Sequence, residues 1–108
     1  MTITVLNAQQ FDEVLEKHTF VVIDFSASWC EPCKAFAKVM DIVSKEYPDC
    51  FFASVDVDQE KSLAKEFAVQ SVPSILIIRN RHVVFAKSGA LSATEFRQLL
   101  NDAKALVF

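Results

Sequence analysis

The chain has 108 residues, of which 52% are hydrophobic, a formal net charge of −3, three cysteines, two histidines and one glycine. That length and apolar content suit one domain, residues 1–108, closed around a single core. The acidic balance argues against nucleic acid or an anionic membrane surface as a partner, and no apolar run approaches transmembrane length.

Taken in chain order, Ile3-Thr4-Val5-Leu6 reads as a short strand, and Asn7 caps a helix carrying Phe11, Val14 and Leu15, with Gln10 placed for a capping box. Phe20-Val21-Val22-Ile23-Asp24-Phe25 is a run of apolar and β-branched residues, the pattern of a strand buried on both faces. A helix follows, with Phe36, Ala37, Met40 and Val43 on one face, and ends near Tyr47-Pro48. Phe51 to Val57 is a third strand, and Glu60 to Phe67 a helix with Leu63, Ala64 and Phe67 inward. Ser74 to Ile78 is a strand after Pro73. Arg79-Asn80-Arg81-His82 turns the chain into Val83-Val84-Phe85-Ala86, without the Asn-Gly pair favoured in a tight hairpin. Ser92 and Glu95 form a second capping box before a last helix with Phe96, Leu99, Leu100 and Ala103 inward. Alternating strands and helices, then a hairpin and a closing helix, predict an α/β fold: a mixed sheet covered on both faces.

The stretch Trp29-Cys30-Glu31-Pro32-Cys33-Lys34 lies where the second strand hands over to its helix. Cys30 falls at the helix N-terminus and Cys33 one turn inside, so free N–H groups and the positive end of the helix dipole favour a thiolate on the first cysteine. Only a thiolate attacks a disulfide. Pro32 suits the first helical turn, with its fixed φ and missing N–H. Two other uses of such a pair are weaker. Zinc needs four ligands, and Cys50, His18 and His82 do not pair at ligand spacing. A purely structural bridge would close too short a loop to restrict the unfolded chain much. Spacing and context point to redox chemistry, with no metal and no cofactor required. Met1-Thr2-Ile3-Thr4-Val5 lacks the regions of a secretory signal, so the expected location is the cytoplasm, where a paired CxxC is more often catalytic than structural.

Across nearly its whole length the chain resembles a thioredoxin. The resemblance rests on Val22 to Cys30, Pro32-Cys33-Lys34, Val55-Asp56-Val57-Asp58, Ser71-Val72-Pro73-Ser74 and Lys87-Ser88-Gly89-Ala90. It implies a thioredoxin fold of about five strands and four helices and a protein-disulfide reductase acting as a monomer. In that family the first cysteine attacks the substrate disulfide and the second resolves the mixed disulfide, which puts those roles on Cys30 and Cys33. Asp24 matches the family's buried carboxylate, expected to have a raised pKa and to accept the Cys33 proton through water; the bland reading is a strand-end carboxylate. Pro73 matches a cis-proline that frees the Val72 backbone to pair with an extended substrate. Trp29 is then a flat docking surface beside the reactive sulfur rather than a core tryptophan. The implied partners are disulfide-containing target proteins and a thioredoxin reductase as electron donor. Two alternatives remain: a binding or chaperone-like module with incidental thiols, and a disulfide oxidase or isomerase outside the cytosol.

Some positions depart from the family pattern. Glu31 replaces a glycine beside the nucleophile, and a charge about 7 Å away at an effective dielectric of about 40 contributes roughly 1 kcal/mol before screening. That opposes thiolate formation by at most about one pKa unit, while Lys34 and the helix dipole pull the other way; the alternative is a solvated helix-start carboxylate. Lys38 stands where many members place a kinking proline, Ser26 where many bacterial members have tryptophan, and Ser54 where a lysine often sits near the buried carboxylate. Cys50 reads as a small buried or half-buried hydrophobe, with a regulatory or dimer-forming thiol as the alternative, and His18 and His82 as solvated loop or turn residues.

Overall fold

The structure, a computed structural model, describes residues 3–106. Its centre is β2 (Phe20–Ser26), whose first six residues are all buried. To one side β2 pairs in parallel with β3 (Phe51–Asp56), which pairs in parallel with β1 (Ile3–Val5). To the other it pairs antiparallel with β4 (Ser74–Arg79), which forms a hairpin with β5 (His82–Ser88). The order β1-β3-β2-β4-β5 gives a five-stranded mixed sheet. With the helices α1 (Ala8–Lys17), α2 (Glu31–Ser44), α3 (Lys61–Glu66) and α4 (Ala93–Ala105) it forms the expected α/β architecture.

The two-residue period of a strand divides β2 between two cores. Phe20 and Val22 face one cluster with Phe36, Met40 and Val43 of α2 and Phe96 and Leu100 of α4. Val21, Ile23 and Phe25 face the other, with Phe11 of α1 and Leu63 of α3. The same parity places Asp24 on the α2 side of the sheet, where it is 3% exposed. On that side the rings of Phe36 and Phe96 meet edge-on with centroids 5.2 Å apart, a geometry that adds to the burial of both.

Both helix-start signals are realised. The Asn7 side chain accepts from the Gln10 amide at 2.9 Å and the Gln10 side chain accepts from the Asn7 amide at 3.2 Å. Ser92 and Glu95 make the same reciprocal pair. The helix ends differ from expectation. α2 stops at Ser44, ahead of the Tyr47-Pro48 signal, because the Glu46 and Tyr47 amides donate to the Val43 and Ser44 carbonyls at 2.9 and 3.1 Å, tightening the chain into turns. Ala37, expected on the inward face of α2, is exposed; the buried face runs through Cys33, Phe36, Met40, Val43 and Ser44. Asn80 and Arg81 form the two-residue hairpin loop with both φ values positive, 49° and 67°, the pattern of a type I′ turn without its usual glycine. Beside it, Arg79 Nη1 donates to the carbonyls of Ala103 (2.9 Å), Lys104 (3.2 Å) and Leu106 (2.6 Å), satisfying the C-terminal end of α4.

α3 closes with a Schellman motif. The Val69 amide donates to the Ala64 carbonyl at 2.9 Å and the Ala68 amide to the Lys65 carbonyl at 3.1 Å, with Ala68 left-handed at φ 53°. Glycine is the residue suited to that conformation, since Cβ there crowds the backbone at a cost of about 1–2 kcal/mol. Ala68→Gly should therefore raise stability, by about 1 kcal/mol or less once the extra freedom of glycine in the unfolded chain is subtracted. Urea unfolding of the two proteins side by side measures this, and a lower midpoint for the glycine variant would contradict the strain assigned to Ala68.

Candidate active site

The site is built where β2 runs into α2. Cys30 is the N-cap of α2, with Glu31 and Pro32 opening the helix and Cys33 in its first turn. Pro32 costs nothing there, because an amide at that position has no helical partner. Cys30 and Cys33 are joined as a disulfide, their Cα atoms 5.3 Å apart. The Cys33 amide donates to Cys30 Sγ at 3.2 Å, so a helix-start N–H points at that sulfur. Cys30 Sγ also lies 3.7 Å from the Val72 carbonyl oxygen. With Ala27, Val57 and Val72, the two cysteines make a small apolar cluster.

Although Cys30 opens the helix and Cys33 lies inside its first turn, the two are almost equally buried, 4% and 3% exposed. The cause is tertiary: Val72, far along the chain, packs over the sulfur. What separates the two thiols is the amide aimed at Cys30 rather than the area each shows.

The Val72–Pro73 peptide is cis and Pro73 is buried. The Gly89 amide donates to the Pro73 carbonyl at 2.9 Å, and Gly89 has φ 98°. A Cβ on Gly89 would meet nothing within 4 Å, so backbone conformation, not space, calls for glycine there. Trp29 is 68% exposed, a surface ring rather than a core residue. Its Nε1 donates to Asp58 Oδ2 at 2.8 Å, and with Val57, Val69, Gln70, Ser71 and Val72 it lines a shallow groove of about 130 Å³. Asp58 lies 29 residues from Trp29 in the chain, so no local pattern signals this contact.

Lys34 Nζ sits 3.0 Å from Glu31 Oε1, with both side chains largely exposed. The two opposing charges at the helix start therefore largely cancel at Cys30. Glu31→Gln frees the Lys34 charge and should lower the Cys30 pKa by less than about one unit, since exposed charges are screened within about 8–10 Å. The couple should become slightly more oxidising, because the reduced form is the one stabilised. Thiolate absorbance titration of the two proteins reads the shift; a rise in pKa would contradict the sign.

Asp24 sits within the buried run of β2. Its Oδ1 is buried with no hydrogen-bond partner among the described residues, and burial pushes the carboxyl up to about 7. No hydrogen bond joins it to either cysteine among the described residues. It faces α2 across a cavity described further below.

The remaining candidates are peripheral. Cys50 is half-buried against the main core, and burial followed by the Asp49 charge raises its thiol to about 11, as fits an inert hydrophobe. The exposed His18 ring stacks on Phe51 with centroids 4.3 Å apart.

The Thioredoxin family model matches residues 2–102. The chain belongs to the thioredoxin family. It is 37% identical over 107 residues to a putative thioredoxin 2 of Streptomyces coelicolor, covering 98% of this chain and 80% of that one. It is 32% identical to a thioredoxin of Buchnera aphidicola, covering 90% and 92%. Among solved structures, the thioredoxin of Fasciola hepatica superimposes with a TM-score of 0.85 at 32% identity, over 92% of this chain and 97% of that one. A mutant thioredoxin of Halobacterium salinarum shares the fold at a TM-score of 0.90 over 98% and 94%, at 24% identity. With the Cys30–Cys33 pair in place, this thioredoxin-family chain is a thiol–disulfide oxidoreductase. Among the described residues, no helix is long and apolar enough to cross a membrane.

Proposed function

We propose that the chain acts as a single-domain, monomeric protein-disulfide reductase of the cytoplasm, in which Cys30 attacks, Cys33 resolves and Asp24 takes the proton. The observation that carries this reading is the Cys33 amide at 3.2 Å from Cys30 Sγ at the start of α2. That donor and the helix dipole favour a thiolate on Cys30 over one on Cys33. The Cys30 thiolate attacks a target disulfide, forms a mixed disulfide and expels one target thiolate. Cys33 then loses its proton toward Asp24 and attacks Cys30 Sγ, expelling the second target thiolate and closing the Cys30–Cys33 bridge. Two electrons and two protons from a thioredoxin reductase restore the dithiol.

The carboxyl held near 7 by burial suits proton exchange at neutral pH. With no direct bond to Cys33, Asp24 acts through an intervening water. The exposed Trp29 ring, the groove beside it and the Val72 backbone next to Pro73 form the docking surface for an extended target segment, with Gly89 supporting Pro73 from behind.

The test is insulin disulfide reduction together with equilibration of the Cys30–Cys33 couple against glutathione. Turnover with a potential near the value of about −270 mV known for thioredoxin itself supports a reductase. A potential of about −180 to −120 mV would instead make the protein an isomerase or oxidase, a difference of several kcal/mol at about 1.4 kcal/mol per 30 mV. Absence of turnover would leave a binding module with incidental thiols.

A further inference from the structure

A cavity of about 280 Å³ opens between α2 and the β1–β3–β2 part of the sheet, and it shares no residue with the groove beside Trp29. Ile3, Ala37 and Met40 give it apolar walls, and Asp24, Ser26 and Ser54 give it a polar one. Asp24 and Ser54 are direct neighbours across the β2–β3 ladder. Asp24 is 3% exposed, and its Oδ1 meets no donor among the described residues. Buried polar atoms are nearly always satisfied, so a carboxylate left alone on a cavity wall marks a place where a donor belongs.

We propose that this cavity is a binding site for a small organic cation, a primary ammonium on a short alkyl chain. The three N–H donors of such a group meet acceptors on Asp24, Ser26 and Ser54, and its chain lies on Ile3, Ala37 and Met40. The charges decide the class of ligand. Asp41 also lines the cavity and is only loosely paired, 3.7 Å from Lys45 Nζ on the solvent side of α2. Among the described residues no lysine or arginine lines the space, so an anion meets two carboxylates and no cation there. A metal ion lacks ligands, since among the described residues no three His, Cys, Asp or Glu side chains come together. A neutral ligand would leave an ionised Asp24 uncompensated, whereas an ammonium supplies both the charge and the donors.

The test is read on the oxidised protein, where no thiol exchange takes place, so failure to bind would leave the redox role of Asp24 untouched. The experiment uses the oxidised full chain, titrated with n-propylammonium chloride at pH 7.5 and followed by backbone amide shifts and the Asp24 carboxyl carbon. Sodium chloride of equal strength and 1-propanol serve as controls. The expected result is saturable shifts centred on Ser26, Ala37, Met40 and Ser54, and a fall in the Asp24 titration midpoint. Binding should weaken at least about tenfold in Asp24→Asn and be lost in Ala37→Leu, which fills the cavity while keeping the carboxylate. Shifts that do not saturate, or that survive both variants, would reduce the effect to surface ion pairing and overturn the site. Equal saturation by 1-propanol with an unmoved Asp24 midpoint would show that the alkyl chain alone drives binding and overturn it as well.

Discussion

Cys30→Ser is expected to abolish disulfide reduction, while Cys33→Ser should leave the protein covalently joined to its substrates. The asymmetry comes from what surrounds each sulfur. Cys30 Sγ receives the Cys33 amide at 3.2 Å, and such charge-assisted donation is strongest when the acceptor is a thiolate. Without Cys30 there is no sulfur at the helix start to open a target disulfide, and the hydroxyl of serine is not ionised at neutral pH. Without Cys33 the first exchange still proceeds, but nothing attacks Cys30 Sγ, so the mixed disulfide accumulates. Non-reducing electrophoresis and intact mass measurement with a disulfide substrate distinguish the two outcomes. Alkylation of the reduced protein at pH 7 should label Cys30 first and Cys50 last, because the Cys50 thiol is pushed up to about 11 and reacts only as its thiolate. Faster labelling of Cys33 or Cys50 would reverse the assignment of nucleophile. In the oxidised protein Cys30 and Cys33 are almost equally buried, so the amide aimed at Cys30, more than access, sets the two apart there.

Asp24→Asn is expected to remove most of the pH dependence of stability between pH 4 and pH 8. The carboxyl titrates near 3.8 when free and near 7 in the fold, with burial as the cause. Between those values the native state holds a proton that the unfolded chain has released, so stability falls as pH rises. The contribution of neutral Asp24 is fully present below about pH 4 and lost through pH 7. About three pKa units at 1.36 kcal/mol each put the loss on the order of 4 kcal/mol. Asparagine does not titrate, so the variant should gain on the parent by that order between pH 4 and pH 8, whatever fixed cost its unsatisfied amide brings. Urea unfolding of the oxidised proteins at pH 4, 6 and 8 measures it; parallel profiles would show that Asp24 is not the buried titrating group.

Much of this is legible in the sequence alone. The apolar run of β2, interrupted only by Asp24 before Ser26, announces a strand covered on both faces, and the Asn7/Gln10 and Ser92/Glu95 pairs mark two helix starts through contacts only three residues long. The Glu31–Lys34 pair was likewise within reach, being neighbours on a helix surface. What escaped depended on distant packing. The cover over Cys30 comes from Val72, and the acceptor for the Trp29 indole N–H is Asp58. Ala37 has the chemistry and spacing of a core residue, but it borders the cavity beside Asp24 and stays exposed. The bonding of Asp24 was beyond local reading too, since a missing partner is a property of everything around a group rather than of its neighbours in sequence.

The alternation along β2 sets a limit on how this gene product can vary in length. Phe20, Val22 and Asp24 look toward α2 and α4, while Val21, Ile23 and Phe25 look toward α1 and α3. Deleting or inserting one codon early in the strand would exchange these sets for every residue after the change. The carboxylate would move to the side away from the cysteines, and side chains fitted to one core would be driven into the other. Substitution within 20–25 can be gradual, one methyl group at a time; a change of length there cannot, and natural insertions should instead collect in the connections outside the sheet.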